Sequence, residues 1–179
     1  MAIDLERSFK PINIAVLTVS DTRTAENDTS GDILAERIEA SGHRLAARAI
    51  ERDYAALLVN RLIGWIEDPE IDAIVSTGGT GLTGRDVTPE ALDRVKAATG
   101  GREIPGFGEL FRWLSFKSIG TSTIQSRACA IVAGGTYIFA LPGSNGAVKD
   151  GWDGILAEQL DSRNRPCNFV ELMPRLQEK

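Results

Sequence analysis

Short, dense apolar runs alternate along this chain with stretches whose apolar residues recur at helical spacing. Ile12 to Ser20 (INIAVLTVS) is rich in β-branched residues and predicts a central strand. The polar stretch after it ends in Asp28, Thr29 and Ser30, any of which can cap a helix over 31–40 with Ile33, Leu34 and Ile38 on one side. Ser41-Gly42 stops that helix. Arg44 to Ile50 predicts a second strand, placed near an edge by its two arginines. Tyr54 to Glu67 repeats apolar residues at 58, 62, 65 and 66, a helical period. Residues 71–76 predict a third strand and 89–98 a helix broken by Gly100-Gly101. Ile104-Pro105-Gly106-Phe107-Gly108 reads as a bent connector, 109–116 as a helix, and 122–132 as another helix. Gly134-Gly135 turns into a strand over 136–141, and Pro142 to Gly146 forms a second glycine-rich turn before a helix over 147–161. The tail from Arg163 reads as irregular.

Strands alternating with helices imply an α/β domain with a mainly parallel sheet and helices on both faces. The 179 residues read as a single domain, with residues 1–11 and 177–179 as flexible ends. A net charge of −5 without any Lys/Arg-rich run argues against nucleic acid or an anionic membrane as partner. No apolar run approaches the roughly 20 residues of a membrane span. No signal-peptide pattern is visible at the N-terminus, so the expected location is cytoplasmic. Cys129 and Cys167 are far apart and outside any CxxC pattern, which predicts reduced thiols. His43 is the only histidine and follows a helix end, so it reads as a turn or surface residue, and no zinc site is visible. Chemistry then falls to carboxylates, hydroxyls, Lys/Arg, backbone N–H groups and a hard metal ion, a set that suits phosphoryl or nucleotidyl transfer with magnesium.

The richest motif is Ser76-Thr77-Gly78-Gly79-Thr80-Gly81-Leu82-Thr83-Gly84-Arg85-Asp86-Val87-Thr88-Pro89-Glu90. Glycines at 78, 79, 81 and 84 permit positive φ and let a ligand approach bare N–H groups. At a strand-to-helix turn such groups form a pocket for phosphate. Asp86 either holds a divalent metal against that phosphate or closes its own loop through an Asx hydrogen bond. Thr88-Pro89 reads as a structural helix start, and Arg85, inside the loop, as a phosphate contact. Ligands of open α/β sheets lie beyond the carboxyl ends of the strands. The loops at that end are Ser20-Asp21, Asp53 and its neighbours, 77–86 and 142–146. Asp53 precedes a helix, and it either caps that helix or joins the site.

Residues 77–90 resemble the signature loop of the MogA/MoaB family of molybdenum cofactor biosynthesis proteins. Val19-Ser20-Asp21, Pro105 to Glu109, Ile124-Gln125-Ser126-Arg127 and Leu141-Pro142-Gly143-Ser144 fit that family in the same order, and the likeness runs from about residue 12 to 176. Leu114-Ser115-Phe116, Gly120 to Thr123 and Arg165-Pro166-Cys167-Asn168 look like its MoaB branch. The resemblance implies a three-layer α/β/α fold around a mainly parallel, mixed sheet. It implies adenylylation of molybdopterin by Mg-ATP, in which a pterin phosphate attacks the α-phosphorus and pyrophosphate leaves.

The family's two essential acidic positions fall on Asp53 and Asp86, as catalytic and Mg2+-holding residues. By the same likeness, Ser20, Asp21, Thr77, Gly78, Gly79, Thr80, Gly81, Ser126, Arg127, Pro142, Gly143 and Ser144 bind nucleotide or pterin. A nucleophile that is already an anionic phosphate needs no general base, which accords with a chain so poor in histidine. The resemblance also implies a homo-oligomer, hexameric on the MoaB branch or else trimeric, with contacts to other proteins of the pathway. Helix 109–116, bearing Phe111 and Trp113, is either an interface or core. Two other readings stand beside this one: a non-catalytic molybdopterin carrier of the MoaB type, and a nucleotide pyrophosphatase with a related glycine loop.

Overall fold

The computed structural model describes residues 3–178. Strands β1 (Asn13–Val19), β2 (Arg44–Glu51), β3 (Ala73–Thr77), β4 (Arg102–Glu103), β5 (Cys129–Ala133) and β6 (Thr136–Leu141) form one sheet in the order β2-β1-β3-β6-β5-β4. The first four strands of that order pair in parallel, whereas β5 runs antiparallel to β6 and β4 antiparallel to β5. The helices are α1 (Thr29–Ala40), α2 (Ala55–Ile66), α3 (Thr88–Thr99), α4 (Pro105–Ile119), α5 (Asn145–Gly151), α6 (Ala157–Gln159) and α7 (Phe169–Leu172). A π-helical turn, Trp152–Leu156, joins α5 to α6.

Strand side chains alternate between two cores. Ile14, Val16, Ala73, Val75, Tyr137 and Phe139 face one side, covered by Leu34 and Ile38 of α1, Phe107 and Phe111 of α4, and Trp152. Ala15, Leu17, Ile74 and Ile138 face the other, covered by Leu58, Leu62 and Trp65 of α2 and Ala91, Leu92 and Val95 of α3. The result is the expected α/β/α sandwich. Strands buried on both faces explain why Ile12 to Ser20 reads as unbroken rather than alternating.

The antiparallel half departs from the sequence reading. Residues 122–132 are not a helix: a 3₁₀ turn (Gly120–Gln125) leads through 126–128 into β5. Cys129-Ala-Ile-Val-Ala is apolar throughout, and a short buried run has no period that separates strand from helix. The hairpin decides it, because Ala133 pairs with Thr136 across Gly134 (φ +61°) and Gly135 (φ +98°), the positive angles a tight two-residue turn demands. Nor is 104–108 a connector: Pro105 occupies the first turn of α4, where its missing N–H costs nothing, and Phe107 is buried. The tail is not wholly irregular, since it contains α7.

His43 is also a correction. It follows the turn, but it is buried, its Nδ1 accepts the Ile12 N–H at 3.3 Å, and burial pushes its pKa down. Within the expected loose ends, Lys10 N–H donates to Ser162 Oγ at 2.9 Å, Arg7 pairs with Glu171, and Gln177 Nε2 donates to Gly134 O at 2.7 Å. Residues 1, 2 and 179 lie outside the described residues.

Candidate functional site

β1 leads away to β2 on one side of the sheet, and β3 continues it on the other, so the order reverses between β1 and β3. Loops leaving the carboxyl ends of two such strands diverge and open a crevice. The glycine loop after β3 forms its floor. Thr77 Oγ1 donates to Pro142 O at 3.1 Å and Gly78 N–H to Leu141 O at 2.9 Å, tying this loop to the second glycine turn. Thr88 Oγ1 donates to Gly78 O at 2.9 Å and Thr88 N–H to Gly79 O at 3.0 Å, so Thr88 is the structural residue its sequence context indicates. Among the described residues, the N–H groups of Gly79 and Thr80 find no acceptor. The four glycines are not equivalent. Gly78 (φ +105°) and Gly79 (φ +64°) need their conformation, whereas Gly81 makes room for Asp86, whose Oδ2 would lie 2.7 Å from a β-carbon there.

Three carboxylates surround this loop, in different states. Asp86 Oδ2 accepts the Thr83 N–H at 2.9 Å and the Thr83 hydroxyl at 2.6 Å, so the Asx closure is present. Burial acts to raise its pKa, but these bonds and the charge of Arg127 lower it on balance. Asp53 does not cap α2, since the cap position is Tyr54 and no side chain caps it. The Asp53 carboxylate accepts no hydrogen bond among the described residues, and its Oδ1 would lie 2.9 Å from a β-carbon at Gly79. Its pKa is raised, first by burial and then by the negative charges of Asp21 and Asp86. Asp21 pairs with Arg85, whose guanidinium also lies over the Tyr54 ring. All donors in this group are oxygens. Among the described residues, no three His, Cys, Asp or Glu side chains form a ready metal cage.

Arg127, expected to bind ligand, is engaged within the protein. Its Nε donates to Gly81 O at 2.7 Å, its Nη2 to Asp86 O at 2.6 Å, and its Nη1 pairs with Glu90. With its N–H also donating to Thr80 O at 2.9 Å, it braces the glycine loop, and each guanidinium nitrogen already has a partner.

Two cavities meet over the loop. A polar one of about 410 Å³ is lined by Ser20, Arg23, Thr77 to Gly81, Asp86 and Pro142 to Ser144, among others. A second, of about 350 Å³, is walled by α4, the 3₁₀ turn and α5 and includes Ser126. Thr80, Gly81, Pro142 and Ser144 border both. The Thr80 hydroxyl is buried at that boundary with no hydrogen-bond partner. Asp21, Asp53 and Arg127 line neither cavity.

The α4 wall escaped the sequence reading. Phe111, Ser115 and Ser118 of α4 line the second cavity, and their spacing of four and three residues is a readable helical stripe. Phe111 is buried, whereas Trp113 is exposed, so the two residues of the candidate interface part company. Neither cysteine lines a cavity, and burial pushes the Cys129 thiol up to about 11.

Behind the polar cavity stands Asp28, the cap of α1. It is fully buried, and its carboxylate accepts from Thr18 Oγ1 and Arg48 Nη2, both at 2.7 Å, and from Gly31 N–H at 3.0 Å. Burial acts to raise its pKa, but the bonds from Arg48, Thr18 and Gly31 outweigh it, and the pKa is lowered. A carboxylate lowered on folding adds stability above its unfolded pKa, near 4, and that stability is lost as pH falls through the lower folded value. Asp28→Ala is expected to lower stability at pH 7 by about 2 kcal/mol through the lost cap and unpaired neighbours. Its denaturation midpoint should begin to approach that of the unaltered protein as the pH falls below about 4 and continue to do so down through the lowered folded-state pKa. Urea titrations at pH 7 and pH 3 check both expectations.

A crevice at the switch point of a mixed α/β sheet, floored by free N–H groups and flanked by carboxylates, is the arrangement in which α/β domains bind small molecules. The family model described as a probable molybdopterin binding domain matches residues 15–162, and the chain belongs to that family, whose work is molybdenum cofactor biosynthesis. It is 47% identical over 161 residues to the molybdenum cofactor biosynthesis protein B of Escherichia coli (strain K12), covering 90% of this chain and 92% of the relative. A crystal structure of a molybdenum cofactor biosynthesis protein B superposes with TM-score 0.84 at 32% identity, over 97% of this chain and 100% of that one. The tungsten cofactor synthesizing protein MoaB of Pyrococcus furiosus gives TM-score 0.72 at 29% identity, over 94% and 99%. Among the described residues, no helix is long and apolar enough to cross a membrane.

Proposed function

We propose that this protein adenylylates molybdopterin with Mg-ATP in the cytoplasm and releases pyrophosphate. The observation that carries this reading is the pair of unlike cavities sharing one glycine loop, one polar beside Asp86 and one apolar and hydroxyl-lined. Two substrates that must bring phosphates together need such a shared border. The Gly79 and Thr80 N–H groups take phosphate oxygens there, and the orphaned Thr80 hydroxyl gains a partner. Ser20 and Ser144 orient the chains of the two substrates. Asp53 and Asp86 are the residues for magnesium, because that ion commonly takes one or two carboxylates together with waters and substrate phosphates. Bound there, it would offset phosphate repulsion. The free Asp53 oxygens and the nearby negative charges of Asp21 and Asp86 fit such an ion.

The proposal includes assembly into a homo-oligomer, with exposed Leu110, Trp113, Phe116 and Ile119 of α4 as the contact face. Purified protein given molybdopterin and Mg-ATP should release pyrophosphate, and Mg-ATP alone should not. Release from ATP without pterin would instead indicate a pyrophosphatase, and pterin binding without release a carrier.

A further inference from the structure

The second cavity contains one charged lining residue, Asp150 of α5, and no lysine or arginine. Its surroundings are mostly apolar (Phe111, Ile119, Ala147) or hydroxyl-bearing, with the Gln125 amide as the other polar side chain. Asp150 Oδ2 receives one contact, from Ser118 Oγ at 3.2 Å, and that hydroxyl also faces Ser115 O at 3.0 Å. Among the described residues Asp150 has no ion-pair partner. Lys117 and Lys149 line an adjoining groove that Asp150 and Ser118 also border, and the Lys117 ammonium sits over the Trp113 ring at 3.7 Å. A half-buried carboxylate with no ion-pair partner, in a cavity with an apolar wall, repels phosphate and favours a flat ligand that offers N–H donors.

We propose that Asp150 recognises the amino-pyrimidinone edge of the pterin and sets the selectivity of this cavity. The inference rests on the molybdopterin reading above. That edge carries a 2-amino group beside a ring N–H, two coplanar donors that meet the two oxygens of a carboxylate. Adenine offers an amino group flanked by ring nitrogens that accept, so one donor is gained and an acceptor is turned toward the charge. The apolar cavity is therefore the pterin side, and the polar one receives the phosphates and the nucleotide. Ser118 is a positioning residue, since it touches Asp150 rather than the edge being recognised.

The test uses free pterin and lumazine, which carries a carbonyl where pterin has the 2-amino group. Both are titrated against the full-length protein by fluorescence. The unaltered protein should bind pterin at least about tenfold more tightly than lumazine, and Asp150→Asn should weaken pterin about 10- to 100-fold, the range of a charge-assisted hydrogen bond. Lumazine affinity should hardly change, so selectivity collapses, and Mg-ATP affinity by calorimetry should stay as it was. Ser118→Ala should give a smaller loss in the same direction. Asparagine preserves the size of the side chain, so a melting curve matching the unaltered protein separates recognition from folding. Undiminished selectivity in Asp150→Asn, or a loss that falls on Mg-ATP instead of pterin, overturns the assignment. Pyrophosphate release is scored separately. Selective pterin binding without release leaves Asp150 in place and removes the adenylylation reading, whereas release without Asp150-dependent selectivity does the reverse.

Discussion

Asp86→Asn should lower pyrophosphate release at least about 100-fold, the scale of losing several kcal/mol of charge stabilisation around a metal and phosphates. The substitution discriminates because the proposed charge role of Asp86 can be separated from its observed structural one. Its Oδ2 closes the loop by accepting from Thr83 N–H and hydroxyl, and an asparagine carbonyl can accept the same bonds. Arg127 holds the loop through the backbone oxygens of Gly81 and Asp86, independently of the side chain at 86. The loop is therefore expected to survive, with only the negative charge lost. Asp86→Ala loses charge and closure together and should depress both activity and melting temperature. Steady-state release assays beside thermal melts read the two roles apart. An Asp86→Asn enzyme that releases pyrophosphate at the unaltered rate would falsify the charge role and leave Asp86 as a loop clasp.

The parallel half of the sheet was legible because β-branched runs and helical periods alternate cleanly there, and the switch point between β1 and β3 then locates the crevice. The hairpin half was not, because Cys129 to Ala133 takes its strand conformation from β6 rather than from its own composition. The glycine loop announced its place but not its division of labour. Nothing in the sequence separates Gly78, which needs positive φ, from Gly84, which does not. Asp53 shows the same limit. Its sequence context is that of a cap, and only the fold sets its carboxylate beside Gly79 with no bond of its own. Arg85 reads as a phosphate contact by position, and Arg127 as a ligand-binding residue by family likeness. Their partners Asp21 and Glu90 are 64 and 37 residues away, and pairings at that range come from topology.

Gly78→Ala should cost about 3–5 kcal/mol of stability. Left-handed strain accounts for about 1–3 kcal/mol of this and steric displacement for a similar amount. The backbone at Gly78 has φ +105°, and an added β-carbon would lie 2.2 Å from Val19 O. That oxygen belongs to the buried last residue of β1, so no flexible side chain can yield. Relief by moving the loop is blocked on the other side, where Gly78 N–H donates to Leu141 O at 2.9 Å and Thr88 Oγ1 donates to Gly78 O at 2.9 Å. The end of β1 must then part from β3, which also displaces Ser20 and the free N–H groups of the floor. For a chain of this size the loss corresponds to a fall in Tm of about 6–20 °C. Gly84→Ala is the control within the same motif. Its φ is not positive, and nothing lies within 4 Å of an added β-carbon, so its effect should stay within about 0.5 kcal/mol. Thermal melts of the two variants side by side read the difference, and equal melting temperatures would show that the loop tolerates a β-carbon at 78 as readily as at 84.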